Sequence, residues 1–248
     1  MKYYGMSDKG KIRKTNQDSY VIATNEAGDL FAIVCDGIGG NLGGDVASRL
    51  AINYFSVAFS NTNGFKTSTA VKKFLREGIQ EVNTLIFETG KENPKLHGMG
   101  TTLCGILLCH AGRFVVNVGD SRAYSFSHNG QFTQLTMDHT LVNDMIMHGE
   151  LTPEQAKNYP KKNVLTNAIG VWETVRSDID THLEDMDGVL LCSDGLHSYV
   201  DQSVIRSIVL DTQIDPILRV RKLVKASLDA GGFDNVTAIL IDLEDDSR

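Results

Sequence analysis

Apolar residues are distributed along the chain in two patterns. Some form short continuous runs, and others recur at helical spacing within polar segments. The runs are rich in Val and Ile and predict strands at 20–24, 30–35, 101–109, 113–118, 122–127, 131–135, 175–183, 189–192 and 236–243. Apolar residues at helical spacing predict helices at 45–59, 67–88, 202–210 and 216–230. A polar stretch at 138–162 also reads as helical, but Pro153 and Pro160 interrupt it.

The order of these elements favours antiparallel sheets. Tight turns separate several neighbouring strands, and Asn129-Gly130 is a hairpin signal because both residues readily take positive φ. Helices come in blocks and do not alternate strictly with strands, so the pattern predicts an α+β fold. No low-complexity linker divides the 248 residues, which predicts one domain over 1–248.

Composition and charge narrow the function classes. The chain is 42% hydrophobic and carries a net charge of −7, which disfavours a nucleic-acid partner. No apolar run approaches the roughly 20 residues of a membrane helix, and no signal peptide is apparent, so we expect no membrane insertion and a cytoplasmic protein. Cys35, Cys104, Cys109 and Cys192 lie in apolar runs without a C-x-x-C pair, which predicts buried reduced thiols.

Aspartates stand where apolar strands end. Asp36, Asp120 and Asp194 each follow such a run, Asp234 precedes the last strand, and Asp18 closes an early polar segment. A single aspartate in this position is usually a turn residue whose side chain bonds to nearby backbone. Three of the same kind favour a site, because Asn or Ser would serve a turn equally well.

Carboxylates gathered at one sheet edge repel each other unless a cation neutralises them. A set without His or Cys suits Mg²⁺ or Mn²⁺ better than zinc. The glycines after Asp36 would let the backbone approach closely and leave carbonyl groups free as ligands.

A dinucleotide-binding turn is the main alternative for the glycine-rich segment at 37–44. Its spacing fails, because the third glycine would have to stand at position 42, which is leucine. No acidic residue lies between Arg49 and Glu77 to bind a ribose, and Asp36 would repel a pyrophosphate. We therefore reject this alternative.

Seven short motifs resemble the protein phosphatase 2C family, the metal-dependent Ser/Thr phosphatases, and in particular its compact bacterial branch. They occur in family order: Arg13-x-x-Asn16-Gln17-Asp18, Asp36-Gly37-Ile38-Gly39-Gly40, Gly98-Met99-Gly100-Thr101-Thr102, Gly119-Asp120-Ser121-Arg122, Asp138-His139, Ser193-Asp194-Gly195 and Asp234-Asn235-Val236-Thr237. The resemblance implies a four-layer αββα sandwich of two antiparallel β-sheets flanked by helices. It also implies that 138–170 forms a flap over the active site.

By the same resemblance the centre would hold two Mn²⁺ or Mg²⁺ ions and a third, weaker one. The implied metal ligands are Asp18 (through waters), Asp36, the Gly37 carbonyl, Asp120, Asp194 and Asp234. Two ions sharing a water would lower its pKa, and the resulting hydroxide would attack the phosphorus directly. The implied catalytic residues are Arg13, which would bind the phosphoryl oxygens, with Asp18 and Asp36.

The implied substrates are phosphoserine and phosphothreonine in proteins, including a bacterial Ser/Thr kinase and its targets, and the implied form is a monomer. Two other functions are weighed, a phosphatase of small metabolites and an inactive relative that binds phosphoproteins. The complete ligand set speaks against the second. His139 and His148 are expected to be exposed, and Trp172 is expected to be a packing residue. Where relatives often have Thr-Arg, the chain has Thr166-Asn167.

Overall fold

The computed structural model of the chain describes residues 1–157, 159–182 and 186–243. Its strands are β1 (Lys2–Asp8), β2 (Asp18–Thr24), β3 (Leu30–Ile38), β4 (Gly100–Thr101), β5 (Leu103–Cys109), β6 (Gly112–Val118), β7 (Arg122–Phe126), β8 (Phe132–Gln134), β9 (Asp178–His182), β10 (Gly188–Cys192) and β11 (Val236–Asp242). Its helices are α1 (Gly40–Ser60), α2 (Ser68–Glu92), a 3₁₀ turn (Pro94–Leu96), α3 (Leu141–Met147), α4 (Pro153–Lys157), α5 (Asp194–His197), α6 (Gln202–Val209) and α7 (Pro216–Asp229).

Two antiparallel sheets lie at the centre of the fold. One has the strand order β1-β11-β10-β7-β8, and the other has the order β2-β3-β5-β6-β9, with β4 paired to the end of β3. Apolar residues from both sheets, among them Val34, Ile106, Leu191 and Ile239, form a buried cluster between them. The strands of these two inner faces therefore form one shared core.

Helices cover the outer face of each sheet. The stripe of α2 that the sequence predicted is fully buried together with residues of α1, β3 and β6, such as Phe55, Ile33 and Val116. On the other side, α6 and α7 pack Val209, Val220 and Leu223 against β10 and β11. The predicted αββα sandwich is thus confirmed in its layers. None of the described helices is both long and apolar enough to cross a membrane.

Most predicted elements are confirmed to within a few residues at their ends, but several differ. The strand predicted at 101–109 is divided into β4 and β5, and the short helix α5 was not predicted. The strand β1 was not predicted, because none of its side chains is fully buried and they do not alternate between buried and exposed. It is fixed by pairing with β11 along its whole length. In the described part of the segment 138–162 the helices are the short α3 and α4, and Pro153 begins α4 rather than interrupting a helix. The end of the predicted strand 175–183, Leu183, lies outside the described residues.

The strand register brings the aspartates to one edge of the sandwich. Asp18 at the start of β2 is paired with Asp36 near the end of β3. Cys192, the last residue of β10, is paired with Ala238 of β11, so Asp194 and Asp234 leave their sheet at the same end. In an antiparallel pair the end of one strand lies beside the start of its partner, so residues at these two positions share one edge of the sheet.

Candidate active site

The aspartates surround a cleft of about 660 Å³ at this edge. Four of them line it, Asp36, Asp120, Asp194 and Asp234, and Arg13 lies on its rim. Asp18 is buried and is adjacent to Asp36 in the strand register. The structure therefore brings together all the residues that the sequence singled out, including Gly37.

The Asp18 carboxylate is held by hydroxyl groups from the opposite sheet. Its Oδ2 accepts hydrogen bonds of 2.7 Å from Ser193 and 2.7 Å from Thr237. Its Oδ1 is buried and has no hydrogen-bond partner. A buried carboxylate oxygen without a donor is costly, so this atom is suited to a cation or to cation-bound water.

Asp36 is fixed through its backbone. Its N–H donates to Thr102 Oγ1 at 2.9 Å, and its carbonyl accepts from the Thr102 N–H at 2.8 Å. The next residue, Gly37, has no room for a side chain, because a Cβ there would lie 2.1 Å from the Gly44 carbonyl oxygen. Close packing of these glycines therefore sets the position of the Asp36 side chain at the cleft.

Asp120 is fixed by a histidine that the sequence analysis did not single out. The carbonyl of Asp120 accepts a hydrogen bond from His197 Nε2 at 3.0 Å. Burial lowers the pKa of His197 to about 4, so this ring is neutral at physiological pH. His197 stands three residues after Asp194, and this spacing was the available sequence signal.

Asp234 is paired with Arg13. The Arg13 Nη2 donates to Asp234 Oδ2 at 2.6 Å, and the arginine side chain is 53% exposed. The hydrogen bond to Asp234 is the main reason that the pKa of Arg13 is raised, with smaller contributions from the charges of Asp194 and Asp36. One positive charge thus already faces the carboxylates from the rim.

The carboxylates repel one another and resist ionisation. Burial raises the pKa of Asp18 to about 7 and that of Asp120 to about 8, and in both cases the charge of Asp194 adds to the effect. The pKa of Asp36 is raised well above its ordinary value by burial and by Asp18, Asp194 and Asp120. Such a cluster holds its full negative charge only when cations are supplied.

The chemistry of this donor set fits hard divalent ions, because all its side-chain donors are carboxylates. Among the described residues no group of three or more His, Cys, Asp or Glu side chains is arranged so that it would hold a metal ion by itself. Asp234 is paired with Arg13, and one oxygen of Asp18 accepts hydrogen bonds from two hydroxyl groups. These contacts partly explain why the carboxylates are not arranged around a common metal position. Oδ1 of Asp18 remains without a donor.

Asn235 organises the cleft rim, a role that sequence reasoning missed. Its Oδ1 accepts from the Gln17 N–H at 2.8 Å, and its Nδ2 donates to the carbonyls of Lys9 at 2.8 Å and Thr15 at 2.9 Å. The side chain is 5% exposed. It ties the segment that carries Arg13 to the turn that carries Asp234.

Comparison with known proteins agrees with this geometry. The sequence model of the protein phosphatase 2C family matches residues 11–229. The chain belongs to the protein phosphatase 2C family. It is 35% identical to the serine/threonine phosphatase Stp of Listeria welshimeri over 247 residues, which covers 95% of this chain and 93% of that protein. It is 34% identical over 242 residues to the protein phosphatase PhpP of Streptococcus pneumoniae, with 97% of each chain covered.

Solved structures of bacterial phosphatases share the fold of this 2C phosphatase. The crystal structure of the serine/threonine phosphatase Stp1 from Staphylococcus aureus superposes with a TM-score of 0.91 at 32% identity, covering 98% of this chain and 95% of that one. The structure of PstP/Ppp from Mycobacterium tuberculosis gives 0.84 at 30% identity, covering 98% and 99%. The predicted family and fold are thereby confirmed.

The prediction for His139 was wrong. This residue of the 2C phosphatase is 1% exposed. Its Nδ1 accepts from the Gly119 N–H at 3.1 Å and from Asn167 Nδ2 at 2.8 Å, so its proton lies on Nε2, which donates to Asp178 at 3.0 Å. His139 thus joins the turn before Asp120 to the segment at 167. The residues that bury His139 are distant from it in the sequence, so the polar residues next to it in the chain do not indicate its burial.

The other two side chains fall on the surface. His148 is exposed, as predicted, and caps the end of α3. Trp172 was expected to pack but is 45% exposed, because α2 holds this segment through its backbone, by a hydrogen bond from Asn83 Nδ2 to the Trp172 carbonyl. Asn167, where relatives often have Arg, is buried beside His139 and contributes no charge to the cleft.

The raised carboxylate pKa values predict an unusual pH dependence of stability for the metal-free 2C phosphatase. An unfolded aspartate has a pKa of about 3.9, so near neutral pH the folded chain binds more protons than the unfolded one. The stabilising contribution is therefore complete at low pH and is lost as the pH rises through about 7 for Asp18 and about 8 for Asp120. We expect the melting temperature in EDTA to fall between pH 7 and pH 8.5, above the ordinary pKa of histidine, about 6.5.

Asp18→Asn is the control for this prediction, because an amide cannot titrate. In EDTA its melting temperature should depend less on pH than that of the wild type, which separates the aspartates from buried cysteines that titrate in the same direction. Excess Mn²⁺ should flatten the wild-type curve. A metal-free wild type equally stable at pH 7 and pH 8.5 would contradict the electrostatic account.

Proposed function

We propose that the chain, acting as one catalytic domain, hydrolyses phosphoserine and phosphothreonine in proteins with the help of Mn²⁺ or Mg²⁺. The observation that carries the proposal is the convergence of five aspartates, from positions 18 to 234 of the chain, at one cleft. Each is buried or half-buried, and the pKa values of four are raised. Membership of the 2C family and the names of its bacterial relatives support the substrate class.

The ions would be held by the carboxylates of Asp36, Asp194 and Asp234 and by the Gly37 carbonyl, with Asp120 serving a third, weaker site. Asp18 would act from behind through its Oδ1, since its other oxygen is held by Ser193 and Thr237. When bound, the ions would lower the pKa of a water molecule, so that a nucleophile able to attack phosphorus is available at neutral pH. The protein itself contributes fixed positions, because most of these aspartates lie at strand or helix ends.

Arg13 would bind the phosphoryl oxygens. Its side chain is half exposed at the rim of the cleft, and a guanidinium can donate two parallel hydrogen bonds to a phosphate. In the structure it donates to Asp234. Binding of a cation by Asp234 would compete with this contact and free the guanidinium for the substrate. The positive charge that a phosphate needs would then come from Arg13 and the ions, despite the net charge of −7.

The partner and the compartment follow from the same proposal. A serine/threonine phosphatase acts on proteins that a kinase has phosphorylated, so we place the chain opposite a bacterial Ser/Thr kinase. Cys35, Cys104 and Cys192 are buried free thiols, which supports a reducing compartment such as the cytoplasm.

A substrate panel tests the proposed function. The purified chain is assayed first with Mn²⁺ and then with Mg²⁺. The substrates are a phosphoserine peptide, a phosphothreonine peptide and several phosphorylated metabolites. We expect kcat/KM to be highest for the peptides. Faster turnover of a metabolite would favour the alternative enzyme, and binding of phosphopeptide without any turnover would favour an inactive adaptor.

A further inference from the structure

The segment between β1 and β2 forms a positively charged rim beside the cleft. Residues 9–15, here called the basic loop, contain Lys9, Lys11, Arg13 and Lys14 and no acidic residue. All four basic side chains are exposed, and Arg13 and Lys14 line the cleft. This concentration of positive charge is unexpected in a chain whose net charge is −7.

The basic loop is held in place by the turn before β11. The Gly232 carbonyl accepts hydrogen bonds from the backbone N–H groups of Lys11 at 2.8 Å and Ile12 at 3.2 Å. Asn235 binds the carbonyls at both ends of the loop, as described above. Gly10 adopts a positive φ of 77°, and a Cβ there would lie 2.3 Å from the Asp234 carbonyl oxygen. The lysines therefore start from fixed backbone positions, which lowers the entropic cost of binding.

The three lysines keep their positive charge available. In the part of the chain that the structure describes, Lys9, Lys11 and Lys14 have no salt-bridge partner, whereas Arg13 is neutralised by Asp234. The exposed Asp229 is bound by Lys225, whose hydrogen bond is the main reason that the pKa of Asp229 is lowered, with a smaller contribution from the charge of Lys11. The aspartates of the site are buried or half-buried, whereas the three lysines are exposed and Lys14 lines the cleft, so a ligand that approaches from solvent meets the positive charge first.

Exposed apolar side chains continue the same rim. Ile12 is 64% exposed, Tyr199 37% and Phe233 50%. The rings of Tyr199 and Phe233 pack with their centroids 5.4 Å apart, and Ile12 and Tyr199 both line the cleft. We call these three residues the apolar rim. Adjacent exposed aromatic side chains are typical of surfaces that bind another polypeptide.

We propose that the basic loop and the apolar rim together dock the substrate polypeptide, and that they select segments in which acidic side chains and one apolar side chain flank the phosphorylated residue. The inference rests on the proposed function and adds the substrate's sequence preference to it. The surface is continuous with the cleft, and its charge complements an acidic segment. The aspartates below would repel the acidic flanking side chains and keep them at the rim, whereas Arg13 and the bound ions would attract the phosphate group into the cleft.

The test compares three substrates on two charge-reversal variants. The substrates are a phosphothreonine peptide with acidic flanks, the same peptide with neutral flanks, and p-nitrophenyl phosphate. One variant carries Lys11→Glu and Lys14→Glu. The control carries Lys72→Glu and Lys73→Glu on α2, which makes the same change in net charge on a helix none of whose residues lines the cleft.

The wild type should prefer the acidic peptide, and the preference should shrink as salt is raised. In the loop variant we expect kcat/KM for this peptide to fall roughly fivefold or more, since each exposed charge contact contributes modestly and two are reversed. Turnover of p-nitrophenyl phosphate by the loop variant should fall less than its turnover of the acidic peptide, because the small substrate lacks the acidic flanks, and the control variant should behave as the wild type. If the loop variant does not fold, Lys11→Gln with Lys14→Gln replaces it, with a smaller expected loss.

The apolar rim is tested by Phe233→Ala. This variant should lose several-fold in kcat/KM on a peptide with leucine beside the phosphothreonine and little on the glycine version. Equal losses on all substrates, or a wild type indifferent to acidic flanks, would overturn the docking inference while leaving the phosphatase in place. A wild type that hydrolyses p-nitrophenyl phosphate but no phosphopeptide would overturn the proposed function itself.

Discussion

Asp36→Asn should remove nearly all phosphatase activity without unfolding the protein. Asp36 lies at the centre of the aspartate cluster, where Asp18, Asp194 and Asp120 all raise its pKa. Asp36 is one of the residues that would hold the ions, and ions at such sites supply several kcal/mol to a transition state. We expect kcat/KM on a phosphopeptide to fall roughly a hundredfold or more, with weaker binding of Mn²⁺ measured by calorimetry.

Stability separates this result from misfolding. Asparagine resembles the protonated aspartate that burial and repulsion favour, so the metal-free variant should melt at or above the wild-type temperature at pH 8. Asp211→Asn is the control, because Asp211 pairs with Lys222 on the surface and is not part of the cluster. An Asp36→Asn variant that keeps most of its activity would mean that Asp36 is only a turn residue.

Gly195→Ala should damage the fold at the site more than any surface change. Gly195 follows Asp194 in α5, and a Cβ added there would lie 1.8 Å from the Asn235 carbonyl oxygen. That oxygen is backbone, and the Gly195 carbonyl is itself held by Ser227 Oγ at 2.7 Å, so neither side can move freely. We expect the free energy of unfolding to fall by about 3 kcal/mol, the upper part of the range for overpacked sites.

Activity should fall as well, because the clash would move the Asp194 turn away from the Asp234 turn. Gly90→Ala is the matched control. It lies near the end of α2, where the nearest atom to a new Cβ is the Leu96 carbonyl oxygen at 3.3 Å, so the change in stability should stay within about 1 kcal/mol. Denaturant unfolding of the two variants gives the comparison. Equal stability of Gly195→Ala and wild type would show that this packing is looser than the structure indicates.

Local patterns carried much of the fold. The apolar stripe of α2 recurs at helical spacing, whereas the Val- and Ile-rich runs of β3, β6 and β11 are continuous. Both kinds of pattern are buried as predicted. The aspartates at strand ends were recognisable because the same local context recurred three times. Antiparallel pairing then places those ends at one edge, which is where the cleft lies.

Long-range contacts explain what local patterns missed. Nothing in the sequence around Asn235 indicates that its side chain binds Lys9, Thr15 and Gln17, some 220 residues away in the chain. The pairing of Arg13 with Asp234 and the burial of His139 are of the same kind. Their environment is set by segments distant in sequence, so the pattern around each residue is uninformative.

The most direct test of the account is the rate of phosphate release from a phosphothreonine peptide before and after removal of divalent ions. The chain is dialysed against EDTA, assayed, and assayed again after Mn²⁺ is added in excess. We expect no measurable release in EDTA and restored release with Mn²⁺, because the metal-dependent mechanism needs cations to hold together carboxylates that repel one another. Undiminished release in EDTA would contradict it.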